Sequence, residues 1–73
     1  MKILIIEDDE RLADRLRVIL RSRYVVDVAF TSNEGITLFS HGGYDLVLVD
    51  FHLPDGSGLE LCDYFRGEDS AVA

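Results

Sequence analysis

The sequence predicts an α/β fold: a doubly wound parallel sheet of three strands, in the order 2-1-3, with three helices. Three apolar runs, at residues 2–6, 25–29 and 46–49, alternate along the 73-residue chain with segments of helical periodicity. This alternation is typical of parallel sheets joined by right-handed crossovers. The first and third runs are the most continuously apolar, which favours central positions, whereas Asp27 within the second run favours an edge.

The first strand and the first helix follow from a change in hydrophobic period. Lys2 to Ile6 is an unalternating run of the type that is buried on both faces of a parallel sheet. From about Glu10 to Ser22, apolar residues recur at helical spacing while arginines take the other positions. The apolar positions of this amphipathic helix are Leu12, Ala13, Leu16, Ile19 and Leu20.

The middle of the chain predicts a second strand and a short second helix. The β-branched run from Val25 to Ala29 predicts the strand. Thr31 or Ser32 can cap the helix that follows, because the side-chain oxygen of either residue can accept a bond from a free backbone N–H. The helix is expected to break at residues 41–43, His-Gly-Gly.

The last third of the chain predicts a strand, a turn and a helix. The strand is Leu46–Val49, and the Pro-Asp-Gly stretch at residues 54–56 is typical of a turn. Residues from Leu59 to Arg66 predict a third helix that Gly67 closes. The tail at 68–73 is too short to assign. No repeat or linker divides the chain, so residues 1–73 are expected to form one unit.

Composition and charge exclude several classes of protein. Seventy-three residues permit at most one small domain, and 48% hydrophobic with 29% charged residues is ordinary globular composition. The net charge of −7 argues against direct contact with nucleic acid. The single cysteine, Cys62, cannot form an internal disulfide. The start of the chain has too few apolar residues for a signal peptide or a membrane span, so we expect a cytoplasmic protein.

Acidic residues follow two of the predicted strands. Glu7, Asp8 and Asp9 come directly after the first strand, and Asp50 comes directly after the third. In the order 2-1-3 these strands are neighbours, and their carboxyl ends border the crevice in which such sheets bind ligands. Several carboxylates in one place are stable only when a cation lies among them. The sequence therefore predicts a metal site at this edge.

Three segments, in this order, resemble the receiver domain of bacterial two-component response regulators. They are Lys-Ile-Leu-Ile-Ile-Glu-Asp-Asp at 2–9, Tyr-Asp-Leu-Val-Leu-Val-Asp at 44–50 and Leu-Pro-Asp-Gly-Ser-Gly-Leu at 53–59. Each motif is weak alone, but their joint spacing is specific. The resemblance implies a flavodoxin-like receiver topology, truncated here to three strands and three helices. The acidic pair led by Glu7 is most similar to regulators that carry a winged-helix DNA-binding domain.

The resemblance implies a role for each of the acidic residues. Asp50 would accept a phosphoryl group from the phosphohistidine of a sensor histidine kinase, with Mg²⁺ as cofactor. Asp8 and Asp50 would bind the metal directly, and the backbone carbonyl of His52 would complete the protein ligands. Glu7 would act through water, since Mg²⁺ retains several waters. Asp9 is then a spare acid, expected to begin the first helix.

Loop residues after the proposed phosphoacceptor are expected to shape the site. Pro54, Gly56 and Gly58 fall in the third motif, where proline fixes one backbone torsion and glycine permits others. Asp55 is expected to stabilise the turn. The resemblance also implies that the first helix contacts the kinase.

The chain is shorter than the family pattern. A receiver continues through two more strands and helices, whereas this sequence stops at Ala73, where a fourth strand would start. The family's hydroxyl residue after strand four and lysine after strand five, which hold the phosphoryl oxygens, have no counterpart. We therefore expect residues 1–73 to be a partial receiver domain without its effector domain. On its own it is expected to be impaired in phosphotransfer, and it is not expected to be an enzyme.

The outer edge of the third strand, Leu46–Val49, is left unpaired in this topology. An apolar edge favours pairing with another chain, so we expect self-association through it. Two other functions remain open. One is a non-catalytic half-domain that acts only as an oligomerising interaction module. The other is an aspartate-nucleophile phosphatase of the haloacid dehalogenase type, although that class needs a second aspartate where this chain has His52.

Overall fold

The computed structural model describes residues 1–68 of the chain, and the expected start of a fourth strand near Ala73 lies outside them. The strands of the main sheet are β1 (Lys2–Ile6), β2 (Val25–Ala29) and β3 (Leu46–Val49). A small hairpin consists of β4 (His52–Leu53) and β5 (Gly56–Ser57). The helices are α1 (Glu10–Leu20), α2 (Ser32–Gly42) and α3 (Gly58–Glu68). Within residues 1–68, none of the helices is long and apolar enough to cross a membrane.

The three long strands form one parallel sheet in the order β2-β1-β3, as the sequence predicts. The register aligns Ile6, the last residue of β1, with Ala29 of β2 on one side and Val49 of β3 on the other. Among the described residues, β2 and β3 are the two edges of this sheet. Because of the register, Glu7 and Asp50 leave the sheet at neighbouring positions.

Helix α2 begins and ends where the sequence indicates. Thr31, rather than Ser32, is the capping residue, and its hydroxyl accepts a hydrogen bond from the N–H of Glu34 at 3.1 Å. The Glu34 carboxylate accepts one in return from the N–H of Phe30 at 3.2 Å. Gly43, with a φ of 63°, has the left-handed conformation that ends a helix.

Helix α3 and the segment before it differ from the prediction. The prediction that Gly67 closes the helix is wrong, because α3 runs from Gly58 through Gly67 to Glu68. Among the described glycines only Gly43 has a positive φ, so Gly67 continues the helix as other residues do. The turn at 54–56 connects β4 and β5, which are too short to be predicted from a sequence pattern.

The hydrophobic core lies between the sheet and the layer formed by α2 and α3. Leu4 and Ile6 of β1 are fully buried in it. Phe65 of α3 packs on Phe39 of α2 with ring centroids 4.4 Å apart. The other buried members of this cluster are Ala29, Tyr44, Leu53 and Leu61. Because Leu53 belongs to β4, the hairpin is attached to the core by this side chain.

The opposite face of the sheet is covered only in part by α1. Ile3 and Ile5 point to this face by strand alternation, and both are buried. However, Leu12 and Ile19 of α1 are 44% and 69% exposed. Leu48 of β3 lines an open groove of about 380 Å³ on the same side. Within residues 1–68, the α1 side of β3 is therefore apolar and open.

Candidate functional site

The carboxyl ends of β1 and β3 bring Glu7 and Asp50 together. The N–H of Glu7 donates to the carbonyl of Ala29 at 3.0 Å, and the N–H of Asp50 donates to the carbonyl of Ile6 at 2.9 Å. These bonds extend the backbone pairing of the sheet past the ends of both strands. The two carboxylates are therefore held at adjacent positions by a rigid backbone.

Asp8 joins these two residues in a cluster of three carboxylates. One oxygen from each of Glu7, Asp8 and Asp50 lies within 4.8 Å of the other two. Asp8 is exposed, and the other two are half-buried. Burial raises the pKa of Glu7, a hydrogen bond from the N–H of Asp9 lowers it, and the charges of Asp50 and Asp8 raise it again. Burial is thus the main cause of the raised pKa, and the nearby negative charges, which a bound cation would neutralise, add to it.

Asp9 has a different environment from its two acidic neighbours. Its carboxylate accepts hydrogen bonds from the N–H groups of Arg11 at 3.0 Å and Leu12 at 3.2 Å, which makes it the N-terminal cap of α1. The N–H of Asp9 itself donates to the carboxylate of Glu7 at 3.1 Å. The structure thus places Asp9 at the start of the helix and outside the cluster.

Three of the predicted site residues, His52, Pro54 and Gly56, lie in the β4–β5 hairpin. His52 begins β4, two residues after Asp50. Its exposed imidazole lies edge-on to the ring of Phe51, with centroids 5.0 Å apart. Pro54 lies in the exposed turn of the hairpin, and Gly56 begins β5. The hairpin is therefore the segment that leads the chain away from the acidic cluster.

Gly58 lies against the backbone of Asp50. A Cβ atom at this position would overlap the Asp50 carbonyl oxygen and lie 2.9 Å from Cα of Phe51. The N–H of Gly58 donates to the carbonyl of Phe51 at 3.0 Å. Only a residue without a side chain permits this approach, so α3 begins directly beside the strand end that carries Asp50.

Asp55 makes a contact that the sequence does not indicate. Its carboxylate accepts hydrogen bonds from the N–H of Ser32 at 2.7 Å and the N–H of Asn33 at 3.0 Å, the first two amides of α2. The bonds from Asn33 and Ser32 lower the pKa of Asp55. The prediction that Asp55 stabilises its own turn omits this link, because its partners are more than twenty residues away along the chain.

Known proteins are similar to this chain along almost its whole length. The response regulator receiver domain family matches residues 3–73. The transcriptional regulatory protein DltR of Streptococcus agalactiae is 39% identical over 67 residues, which cover 90% of this chain and 30% of DltR. The chain thus spans less than a third of the length of this curated relative.

Solved structures of response regulators have the same fold. The response regulator TrrA of Thermotoga maritima, in complex with Mg²⁺-BeF, matches with a TM-score of 0.89 and 31% identity over 94% of this chain and 61% of TrrA. TrrA in complex with the histidine kinase ThkA matches with a TM-score of 0.90 and 30% identity, over 97% and 62%. The order of strands, the acidic strand ends and these similarities agree, and the chain belongs to the response regulator receiver domain family of two-component systems.

Proposed function

We propose that Asp50 accepts a phosphoryl group from a sensor histidine kinase. The observation that carries this proposal is the cluster of Glu7, Asp8 and Asp50, whose oxygens lie within 4.8 Å of one another at the ends of β1 and β3. The complex of TrrA with the histidine kinase ThkA supports a kinase as the partner. The helix α1, which follows Asp9 and carries exposed arginines, is the surface we assign to that contact.

Phosphoryl transfer to Asp50 exchanges one bond to phosphorus for another. A carboxylate oxygen of Asp50 attacks the phosphorus of the phosphohistidine, the P–N bond breaks, and its electron pair stays with the imidazole, which takes up a proton. The product is an acyl phosphate on Asp50. We propose that the chain retains this phosphoryl group as the phosphoacceptor of a kinase and is not itself an enzyme.

Mg²⁺ fits the donor set of the cluster. Its ligands in proteins are oxygens, and the cluster offers three carboxylates. We assign Asp8 and Asp50 as direct ligands and the backbone carbonyl of His52 as the third. Glu7 acts through water. When bound, Mg²⁺ offsets the charge that gathers on the phosphoryl oxygens. The Mg²⁺-BeF complex of TrrA supports Mg²⁺ as the metal.

The residues after Asp50 shape the path of the chain beside the metal ligands. Pro54 fixes one backbone torsion in the turn. Gly56 lets the hairpin lie close to α2, and Gly58 lets α3 begin against the backbone of Asp50. We propose that these three residues together set the position of the His52 carbonyl.

The substitution Asp8→Asn is expected to weaken Mg²⁺ binding and to stabilise the metal-free fold. One of the three clustered charges disappears, which relieves about 1 kcal/mol of repulsion at a solvent-exposed position. In a domain of this size, this corresponds to a rise in unfolding temperature of about 4–8 °C. Mg²⁺ affinity should fall by more than about tenfold. Calorimetric titration with Mg²⁺ and thermal unfolding in a chelator measure the two effects.

Asp63→Asn is the matched control for Asp8→Asn. It removes the same charge from an exposed position on α3 and should leave both quantities close to those of the wild-type chain. Asp8→Asn binding Mg²⁺ as tightly as the wild-type chain would contradict the ligand assignment.

The output of the parent protein is proposed from its relatives. DltR is a transcriptional regulatory protein, of which this chain covers 30%. We propose that residues 1–73 supply the first three βα units of a receiver domain. A DNA-binding output domain, of the winged-helix type by the sequence resemblance, lies elsewhere in the protein. The charge of −7 argues against DNA contact by residues 1–73. We also propose a cytoplasmic location, because a regulator of transcription acts there.

Residues 1–73 alone are proposed to accept the phosphoryl group slowly. By the resemblance, a hydroxyl residue and a lysine from later strands hold the phosphoryl oxygens. The single lysine here, Lys2, is at the amino end of β1, opposite the acidic cluster. Its ammonium group donates to the carbonyl of Gly42 at 2.9 Å and lies over the ring of Tyr44. It therefore does not replace the family's lysine.

One reaction distinguishes this function from the two alternatives. The chain is incubated with Mg²⁺ and a small acyl-phosphate donor, and its intact mass is followed with time. A stable adduct of one phosphoryl group supports the phosphoacceptor. Continuous hydrolysis of the donor supports an aspartate-nucleophile phosphatase, and no reaction supports an oligomerising interaction module. A parallel incubation with a chelator shows whether the adduct needs the metal.

We propose that the chain also self-associates through the edge of β3, Leu46–Val49. Within residues 1–68 this edge has no neighbouring strand, and the groove beside Leu48 is open. Two copies can join edge to edge about a twofold axis, or exchange elements. Sedimentation of the reduced chain over a range of concentrations should show a dimer. Leu48→Lys should shift it to monomer, whereas Val25→Lys, on the β2 edge, should not. A folded wild-type monomer at high concentration would contradict this proposal.

A further inference from the structure

The carboxylate of Asp55 connects two parts of the molecule that are distant in sequence. It accepts hydrogen bonds from two successive backbone amides of α2, those of Ser32 at 2.7 Å and Asn33 at 3.0 Å. Two bonds from a rigid helix end, one to each oxygen, fix the orientation of the carboxylate as well as its position. The third amide of α2, that of Glu34, is bound by Thr31. Asp55 thus attaches the tip of the β4–β5 hairpin to the start of α2.

The base of the same hairpin lies at the acidic cluster. The first strand of the hairpin begins at His52, two residues after Asp50. The residues that flank the hairpin are joined by a hydrogen bond from the N–H of Gly58 to the carbonyl of Phe51. Between tip and base the hairpin has only two residue pairs, His52↔Ser57 and Leu53↔Gly56. So short a hairpin has no independent stability, so its position depends on its anchors.

We propose that Asp55 is a positioning residue of the metal site. By attaching the hairpin tip to α2, it holds the backbone of His52 in place beside the cluster of Glu7, Asp8 and Asp50. This inference rests on the proposed function, in which the His52 carbonyl is a Mg²⁺ ligand. Asp55 is not a ligand itself and acts only through the hairpin.

The attachment and the metal must then strengthen each other. If attachment of the hairpin to α2 increases the affinity for Mg²⁺, bound Mg²⁺ must increase the equilibrium constant for attachment by the same factor, because linkage is reciprocal. The amide protons of Ser32 and Asn33 report the attachment directly, since they are its donors. The N–H of Gly35 donates to the carbonyl of Thr31 at 3.0 Å within the same helix, and it serves as an internal reference.

The test compares Mg²⁺ titrations of the wild-type chain, Asp55→Ala and Asp55→Asn by calorimetry and by amide hydrogen exchange. Asp55→Ala should bind Mg²⁺ about tenfold more weakly. Asp55→Asn should be intermediate, because its single carbonyl oxygen replaces only one of the two acceptors. Mg²⁺ should slow the exchange of the Ser32 and Asn33 amides in the wild-type chain and have no effect on them in Asp55→Ala.

Two control variants separate positioning from charge and from helix stability. Asp63→Ala removes one charge from an exposed position on α3 and should bind Mg²⁺ as the wild-type chain does. The double variant Asp55→Ala/Thr31→Asp restores the net charge and gives α2 a local aspartate cap, without the connection to the hairpin. Its Mg²⁺ affinity should remain as low as that of Asp55→Ala. Thermal unfolding of each variant sets a titration temperature at which all are folded.

The outcomes distinguish this inference from the proposed function. Wild-type affinity in Asp55→Ala, or its recovery in the double variant, would overturn the positioning role and leave the metal site intact. Absence of Mg²⁺ binding by the wild-type chain would overturn the metal assignment and this inference with it. If Asp55→Ala fails to fold, the Mg²⁺ affinity of Asp55→Asn is compared with that of the wild-type chain. A lower affinity supports the positioning role, and an equal affinity overturns it.

Discussion

Asp50→Asn is expected to abolish the phosphoryl adduct completely. Asparagine has nearly the same shape as aspartate, but its amide lacks the anionic oxygen that attacks phosphorus. The fold should be retained, because the backbone N–H of Asp50 that donates to Ile6 is unaffected. Removing one charge from the cluster should even raise the unfolding temperature in a chelator. Intact-mass measurement after incubation with Mg²⁺ and an acyl-phosphate donor reads the result.

Asp9→Asn is the control for this substitution. It removes a charge close to the same cluster, and asparagine caps a helix as well as aspartate does, so α1 should remain intact. Asp9→Asn should therefore form the adduct at the wild-type rate. An adduct that persists in Asp50→Asn would mean that another carboxylate, such as that of Asp8, is the acceptor.

The location of the acidic cluster was predictable because parallel strands share one direction. Once residues 2–6 and 46–49 are neighbours in the sheet, the residues after them must meet at one edge. The exact register was not predictable. The alignment of Ile6 with Val49 places Glu7 directly beside Asp50, and it depends on the packing of both faces of the sheet, which no local pattern contains.

Two pairs of residues show why the remaining details needed the structure. Gly43 and Gly67 both follow a helical pattern, yet only Gly43 adopts the left-handed conformation that ends a helix. Glycine permits both conformations, so its presence alone does not decide. Leu12 and Ala13 both belong to the apolar positions of α1, yet Ala13 is buried and Leu12 is 44% exposed. Periodicity identifies an apolar helix face but not how much of it the sheet covers.

The substitution Gly58→Ala is expected to destabilise the fold strongly. The added methyl group would overlap the carbonyl oxygen of Asp50 and lie 2.9 Å from Cα of Phe51. Both neighbours are backbone atoms at the end of a sheet strand, so no flexible side chain can move aside. We expect a loss of about 3 kcal/mol in the free energy of unfolding. This corresponds to a fall of about 12–24 °C in unfolding temperature, which thermal or urea denaturation measures.

The same substitution should weaken Mg²⁺ binding at temperatures where the variant is folded, because relief of the overlap must displace either Asp50 or the start of α3. Gly67→Ala is the matched control. It makes the same chemical change in the same helix, at a position with open space and an ordinary helical φ. Alanine is the better helix former, so this control should gain up to about 1 kcal/mol. Equal stability of the two variants would show that α3 can move away from the backbone of Asp50 at little cost. In that case the close approach of Gly58 would not constrain the position of Asp50.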